Sequence, residues 1–303
     1  MSLRFVLVDV FADRPLAGNP LAVFPEAAGL DDGTLQLVAR EMDHAATSFL
    51  CPASSAGAEF RLRIFSRERE LPFAGHPALG AHYVHAIESR RPLSEPLTRV
   101  VHEGPDGLVE VELVVEGGRI GQLRLTQRRP EIGPKLSADE VADVAEALGL
   151  AEEEIQATNQ PARVASTGLP VLIVPVATLP ALFAARPRYD LLRALLEGRD
   201  ATLVYAFTKE TKEARSAAHA RAFDTVGSVE VPGAGAAAGA LAAYLVSHSA
   251  VTIQPVTVLP VEQGHAVNRP STIYTEVHLA GSDIVRVVMG GRVVRVGEGR
   301  LEI

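Results

Sequence analysis

The sequence contains a single cysteine, Cys51, and no tryptophan in 303 residues. One cysteine excludes an intrachain disulfide, and the nine histidines show no metal-ligand spacing among themselves or with Cys51. We therefore expect Cys51 to be a reduced core residue, and we expect neither a metal ion nor a cofactor.

Long apolar runs and clusters of basic residues are also missing. No stretch reaches the roughly 18 apolar residues that a membrane-spanning helix needs, and the start MSLRFVLVDVF has neither the apolar core nor the cleavage site of a signal peptide. The 37 acidic and 29 basic side chains give a formal net charge of −8, with no Lys/Arg run to follow a phosphate backbone. We expect a cytoplasmic protein that binds neither membrane nor nucleic acid.

The chain is long enough, and at 47% hydrophobic residues apolar enough, to form two domains. The Pro- and charge-rich stretch RRPEIGPKL, residues 128–136, is typical of a boundary between domains. We therefore predict an N-terminal lobe over residues 1–128 and a C-terminal lobe over residues 129–303, with the option that the last strand crosses back to the first lobe.

Local signals predict several element ends. Asp32 is a candidate cap for a helix with Leu35 and Val38 on its buried face. Ser137 and Glu140 form a capping-box pattern for a helix that Gly149 would end.

Two apolar stretches with similar starts, GHPALGAHYV and GAAAGALAAYL, occupy comparable places in the two halves. Both are apolar on nearly every side, which predicts helices enclosed by sheet rather than lying on a surface. The second half repeats the order of elements in the first, and we predict an internal duplication.

A helix that begins at glycine leaves backbone N–H groups unpaired, and these attract a carboxylate or a phosphate. Gly75, His76, Gly235 and Ala236 are therefore candidate substrate-binding residues. His76 is also a candidate catalytic residue, because an imidazole beside an anion can donate a proton or a hydrogen bond. The alternative is that the small residues serve close packing of helix against sheet and that His76 only satisfies a backbone carbonyl.

The motifs VDVFADRPLAGNPLAVF, VAREMDHAATSF, RIFSRERELPFAGHPALGAHYV, STGLPVLIVPV, EVPGAGAAAGAL, NRPSTI and GGRVVRVGEGRL follow one another along nearly the whole chain. In this order they resemble the phenazine-biosynthesis PhzF-like family. The resemblance implies the α+β fold of diaminopimelate epimerase: two similar lobes, each a strongly bent, mostly antiparallel sheet wrapped round a central helix, with the active site between them. It also implies a homodimer.

Family members known as isomerases move a proton within a small carboxylated substrate, with a Glu as acid and base and an Asp and a His beside it. The resemblance places the His at His76. It places Ala46 at the Glu, by aligning EMDHAATSF with a pattern like EMNLSETTF, and Val231 at the Asp, by aligning EVPGAGAAAG with EDPATGSAAG. Ala234 and Ala236 stand at the family's hydroxyl positions. The two-cysteine mechanism of related racemases is excluded, because the chain has only Cys51.

Methyl and isopropyl groups cannot transfer protons, so the sequence predicts a PhzF-like protein with a small-carboxylate cleft between its lobes but without the family's Glu/Asp proton shuttle. The alternative is an active isomerase or epimerase that uses His76 with a recruited acid or base. Asp43 and His44 are the first candidates for that role, since they lie close to Ala46 in sequence. Glu70 and Glu230 match acidic positions of the family pattern, for which we expect structural roles.

Overall fold

The computed structural model describes residues 2–72, 75–90, 92–201 and 203–303. Phe73 and Ala74 of the motif ELPFAGHP lie outside the described residues. The chain folds into two compact units. The first comprises Met1–Thr126 with Gly290–Ile303, and the second comprises Gln127–Met289.

The strands are β1 (Ser2–Val10), β2 (Asn19–Phe24), β3 (Thr47–Cys51), β4 (Phe60–Phe65), β5 (Leu97–Gly104), β6 (Gly107–Glu116), β7 (Arg119–Thr126), β8 (Glu131–Lys135), β9 (Arg163–Ser166), β10 (Pro170–Pro175), β11 (Leu203–Thr208), β12 (Ala218–Asp224), β13 (Val229–Val231), β14 (Val256–Val258), β15 (Val261–Gln263), β16 (Ser271–Ala280), β17 (Asp283–Gly291) and β18 (Val293–Glu302). The α-helices are α1 (Asp32–Met42), α2 (His76–Glu88), α3 (Ala138–Leu148), α4 (Glu152–Gln156), α5 (Leu179–Ala184), α6 (Tyr189–Leu196) and α7 (Gly235–Ser247). A short 3₁₀ turn covers His265–Val267.

In the first unit, β1 pairs antiparallel with both β2 and β18. The sheet continues through β3 and β4 to the antiparallel run β5, β6 and β7, with parallel pairs only at β2–β3 and β4–β5 among these described strands. Helix α2 packs against β1, β2, β3, β4, β6, β7 and β18, so the sheet bends around this helix. Apolar residues over most of the surface of α2, Pro77–Ala81 among them, are buried as a result.

In the second unit, β10 pairs antiparallel with β9 and parallel with β11, and β12 pairs antiparallel with β11 and β13. The sheet continues from β12 through β15 to β16. All residues of α7 but the last are buried, and the helix packs against β9, β10 and β16. The prediction that each apolar stretch is a helix enclosed by sheet is confirmed, and with it the α+β fold class.

Amphipathic helices form a further layer in each unit. In the first unit, α1 places Leu35, Val38 and Ala39 against Phe24 and Phe49. In the second unit, α3, α5 and α6 form a separate core with side chains of β10 and β11. No described helix is long and apolar enough to cross a membrane.

The predicted capping box at α3 is confirmed: Ser137 and Glu140 cap each other's backbone, and Gly149 ends the helix with a φ of 65°. The prediction that Asp32 caps α1 is wrong. The cap is Asp31, whose extended backbone lets its carboxylate accept a 2.8 Å hydrogen bond from the Thr34 N–H. Asp32 is the first residue of the helix and pairs instead with Arg63.

Candidate functional site

The start of α2 is built from Gly75, His76 and Pro77. Gly75 is the N-cap residue and makes no side-chain hydrogen bond to the helix, so the first backbone N–H groups are not capped by it. Pro77 lies in the first turn, where its missing N–H costs no helical hydrogen bond. This local sequence fixes the helix start while leaving donors of the kind that anions bind.

His76 is held at this start by a contact with the strand that follows the first loop. Its Nδ1 lies 3.5 Å from the side-chain Nδ2 of Asn19, the first residue of β2. Its Nε2 is buried and has no hydrogen-bond partner among the described residues. Burial lowers the pKa of His76 to about 3. The imidazole is therefore neutral at pH 7.

Ala46 lies directly before β3 and is only 2% exposed. Two residues further along, the Ser48 hydroxyl donates a 3.3 Å hydrogen bond to the Pro77 carbonyl, which ties β3 to the first turn of α2. The segment that the family resemblance assigns to the Glu thus runs next to the start of α2. At position 46 it offers a buried methyl group.

The start of α7 is held by backbone and amide contacts. The side chain of Gln263 accepts a hydrogen bond from the Ala234 N–H at 3.2 Å and donates one to the Val231 carbonyl at 2.6 Å. The Tyr205 hydroxyl donates to the same Gln263 oxygen. Ala234 is the N-cap residue and has no side-chain cap. Gln263 therefore holds the loop in its conformation, although the isopropyl side chain of Val231 makes no hydrogen bond.

Gln127 and Thr167 hold the first turn of α7 from the side. Gln127 Nε2 donates to the Gly235 carbonyl at 3.3 Å, and the Thr167 hydroxyl bridges Gln127 Oε1 and the Ala236 carbonyl. These contacts use carbonyl oxygens of Gly235 and Ala236. Neither side chain engages the N–H groups of Gly235 and Ala236 through these contacts.

The acidic residues next to the family motifs are paired with arginines. Glu70 forms two hydrogen bonds with Arg63, and Glu230 forms two with Arg221. The same Arg221 donates to two carbonyl oxygens at the end of α5. Both contacts agree with the structural roles expected for Glu70 and Glu230. Asp43, the candidate recruited carboxylate, pairs with Arg67 at 2.7 Å on the surface.

A buried polar cluster that the sequence did not predict lies in the second unit. His219 is fully buried and its Nδ1 lies 2.8 Å from Glu262 Oε2. Burial alone would raise the pKa of Glu262, but hydrogen bonds from His219 and from the N–H groups of Lys212 and Glu213 lower it to about 2. The His265 ring lies 4.9 Å from that of His219, centroid to centroid. His219 and Glu262 are 43 residues apart in sequence, so no local pattern signals their contact.

The candidate residues thus fall into two groups. Ala46, Gly75 and His76 belong to the first unit, at or beside the start of α2, and Val231, Gly235 and Ala236 belong to the second unit, at or just before the start of α7. Within residues 2–72, 75–90, 92–201 and 203–303, no group of three or more His, Cys, Asp or Glu side chains is placed so that it could hold a metal ion.

A family model described as phenazine biosynthesis-like protein (PhzC-PhzF) matches residues 8–299. The chain belongs to this family. It is 30% identical to a trans-2,3-dihydro-3-hydroxyanthranilate isomerase of Pseudomonas fluorescens, covering 98% of this chain and 99% of the relative. It is 32% identical to an uncharacterised isomerase of Mesorhizobium japonicum, covering 99% of both chains.

Several solved structures share the fold of this chain. A PhzF family protein of Bacillus anthracis superimposes with a TM-score of 0.90 over the whole of both chains, at 24% identity. A protein of Pseudomonas aeruginosa described as a predicted epimerase superimposes with a TM-score of 0.82 at 35% identity over 99% of both chains. A hydroxyproline epimerase of Agrobacterium vitis, at 16% identity and a TM-score of 0.67 over 99% of this chain and 91% of that one, shares the fold.

Proposed function

We propose that this PhzF-like protein binds a small carboxylated molecule at its glycine-bearing helix starts and lacks the Glu/Asp proton shuttle of the family's isomerases. The family and its isomerase relatives are the starting point. The second part of the proposal rests on Ala46 and Val231, the residues at the two positions that the family resemblance assigns to the Glu and the Asp.

The state of His76 carries the proposal. Its imidazole is desolvated and neutral, and within the part of the chain that the structure describes no carboxylate opposes the lowering of its pKa. A histidine that works as a proton carrier near pH 7 needs a pKa close to that pH, which a neighbouring carboxylate commonly provides. His76 has an amide neighbour, Asn19, instead. This environment suits a fixed hydrogen-bond donor or acceptor better than a proton shuttle.

Ala46, at the position that the family resemblance assigns to the Glu, supports the same conclusion. A general acid or base must reach the proton that it moves within about 2.6–3.2 Å, directly or through one water. The buried methyl group of Ala46 cannot bind a proton at any distance. The nearest carboxylate in sequence, Asp43, is exposed and paired with Arg67.

The binding half of the proposal rests on backbone groups, which the substitutions leave in place. Both α2 and α7 have 13 residues and an N-cap residue without a side-chain cap. The first N–H groups of a helix have no partner within the helix itself, and they lie at the positive end of its dipole. A carboxylate is the anion that the isomerase relatives' named substrate carries, and we propose the same class here.

Titration with benzoate, followed by ¹⁵N amide shifts, tests this binding. We expect saturable shifts at the amides of Gly75, His76, Gly235 or Ala236, because these groups start the two helices. Benzyl alcohol has the same ring without the charge and is the matched control, for which we expect no shifts at these positions. Benzoate shifts that occur only in amides far from both helix starts would contradict the proposal.

A second candidate is an active isomerase or epimerase of an unknown small metabolite, using His76 with a recruited acid or base. The names of the relatives, isomerases matched over nearly their whole length, favour it. It requires a titratable side chain within reach of His76 when substrate is bound, and Asp43 and His44 are the residues to replace first.

We also propose a homodimer, as the family resemblance implies. Analytical ultracentrifugation at micromolar concentration distinguishes a dimer from the 32.2 kDa monomer.

A further inference from the structure

Asn19 is more rigidly placed than an asparagine in a loop would be. It is 1% exposed, and it opens β2 opposite Val10 of β1. Both the backbone and the side chain are therefore enclosed by the sheet of the first unit. A side chain held in this way can direct a neighbouring group without itself moving.

The orientation of the Asn19 amide sets the polarity of its contact with His76. The atom of Asn19 that faces His76 is the amide nitrogen Nδ2, which carries hydrogens and can only donate. His76 Nδ1 must then accept, so it carries no proton. A neutral imidazole has one N–H, and burial keeps this ring neutral. The remaining proton therefore sits on Nε2.

This polarity determines the hydrogen-bonding role of the buried Nε2 atom of His76. Nε2 has no partner among the described residues, and with its proton it is a donor that lacks an acceptor. Buried donors in native proteins are almost always paired, with protein, water or ligand. An anionic oxygen is a strong acceptor for such a group, because a charged partner roughly doubles the strength of the hydrogen bond.

We propose that Asn19 is a positioning residue that holds His76 in its Nε2–H tautomer, so that Nε2–H is a fixed donor to an oxygen of the bound carboxylate. The proposal rests on the carboxylate binding put forward above and assigns a role to a residue that follows the first loop. It also explains why an amide stands at position 19. A carboxylate there would accept from Nδ1–H and turn Nε2 into an acceptor, which repels an anionic oxygen.

The tautomer of His76 can be measured directly in the unliganded protein by long-range ¹H–¹⁵N correlation of its ring. We expect the unmodified protein to show a protonated Nε2 and an unprotonated Nδ1 at pH 7. Asn19→Asp should reverse this pattern and raise the pKa of His76, and Asn19→Ala should leave the mixture of both tautomers that a free neutral imidazole shows. Asn159→Asp introduces the same charge on an exposed residue of the second unit and should leave the ring signals unchanged.

Binding of benzoate is the second readout. We expect Asn19→Asp to weaken it by at least about tenfold, as loss of one hydrogen bond to a charged group predicts, and Asn159→Asp to leave it unchanged. An unmodified protein with its proton on Nδ1 overturns the inference, whatever the variants do and whether or not they fold. If the unmodified protein shows the expected tautomer but does not bind benzoate, the proposed function is refuted instead. The role of Asn19 in setting the tautomer is then retained.

Discussion

Glu262 is the residue at which the structure gives the sharpest expectation for stability. Its carboxylate is 1% exposed and accepts hydrogen bonds from His219 Nδ1 at 2.8 Å, from the Lys212 N–H at 2.9 Å and from the Glu213 N–H at 2.6 Å. All three donors favour the ionised form, and they outweigh the cost of burial. Glu262→Gln keeps the shape of the side chain but removes the charge, so it imitates protonation.

The size of the effect follows from the pKa. The pKa of Glu262 falls from 4.5 to about 2 on folding, and each unit corresponds to about 1.4 kcal/mol. Ionised Glu262 therefore contributes about 3 kcal/mol of stability above pH 4.5, and this contribution is lost as the pH falls from 4.5 towards 2. We expect Glu262→Gln to be less stable than the unmodified protein by about 3 kcal/mol at pH 7, and by about 1.4 kcal/mol near pH 3, one unit above the folded-state pKa.

Urea unfolding followed by circular dichroism at pH 7 and near pH 3 measures both values. Glu146→Gln is the matched control, because Glu146 is exposed and pairs with Arg188 on the surface. It should cost less than about 1 kcal/mol at either pH. A loss below about 1 kcal/mol for Glu262→Gln at pH 7, or a difference that stays constant with pH, would show that the three hydrogen bonds do not hold the carboxylate as described.

Three further expectations concern other parts of the molecule. Gly239→Ala should lower the free energy of unfolding in urea by about 1–3 kcal/mol, because a Cβ there would lie 2.6 Å from Gln127 Cδ. A Cβ at Gly297 would meet nothing within 4 Å, so Gly297→Ala should cost less than about 1 kcal/mol, and equal effects of the two variants would refute the packing argument. Burial lowers the pKa of His102 to about 4, so protonation of this residue in the unfolded chain should reduce stability as the pH falls from 6.5 towards 4. His102→Leu should flatten the dependence of the unfolding free energy on pH in this range by up to about 1.4 kcal/mol per pH unit. An unchanged pH dependence would contradict this expectation. The double variant Ala46→Glu, Val231→Asp should gain at most a trace of proton-transfer activity with a dihydro-aromatic acid, because position 46 is buried and a carboxyl placed there stays protonated; full family-like turnover would refute this.

The sequence predicted the parts of the fold that depend on local composition. The apolar character of α2 and α7 on nearly all sides predicted their enclosure, and Ser137 with Glu140 predicted the start of α3. The error at α1 arose because two adjacent aspartates, Asp31 and Asp32, are equally good caps by type, and only backbone geometry selects between them.

Only those parts of the candidate site that are contiguous in sequence were predictable. Gly75 and His76 could be placed at a helix start because the motif is contiguous. The contact of His76 with Asn19 joins residues 57 positions apart, and the cluster of His219 and Glu262 joins residues 43 positions apart. Single-sequence patterns do not encode such pairs, since the sheet registers that bring them together depend on the whole fold.

This PhzF-like protein is proposed to carry out no proton-shuttle chemistry at His76. Incubation of the unmodified protein with a dihydro-aromatic carboxylic acid in D₂O, with deuterium uptake followed by mass spectrometry, tests it most directly. The Pseudomonas fluorescens relative serves as the positive control and His76→Ala as the matched variant. We expect uptake by the relative and none above the protein-free rate for this chain. Robust uptake that disappears in His76→Ala would contradict it.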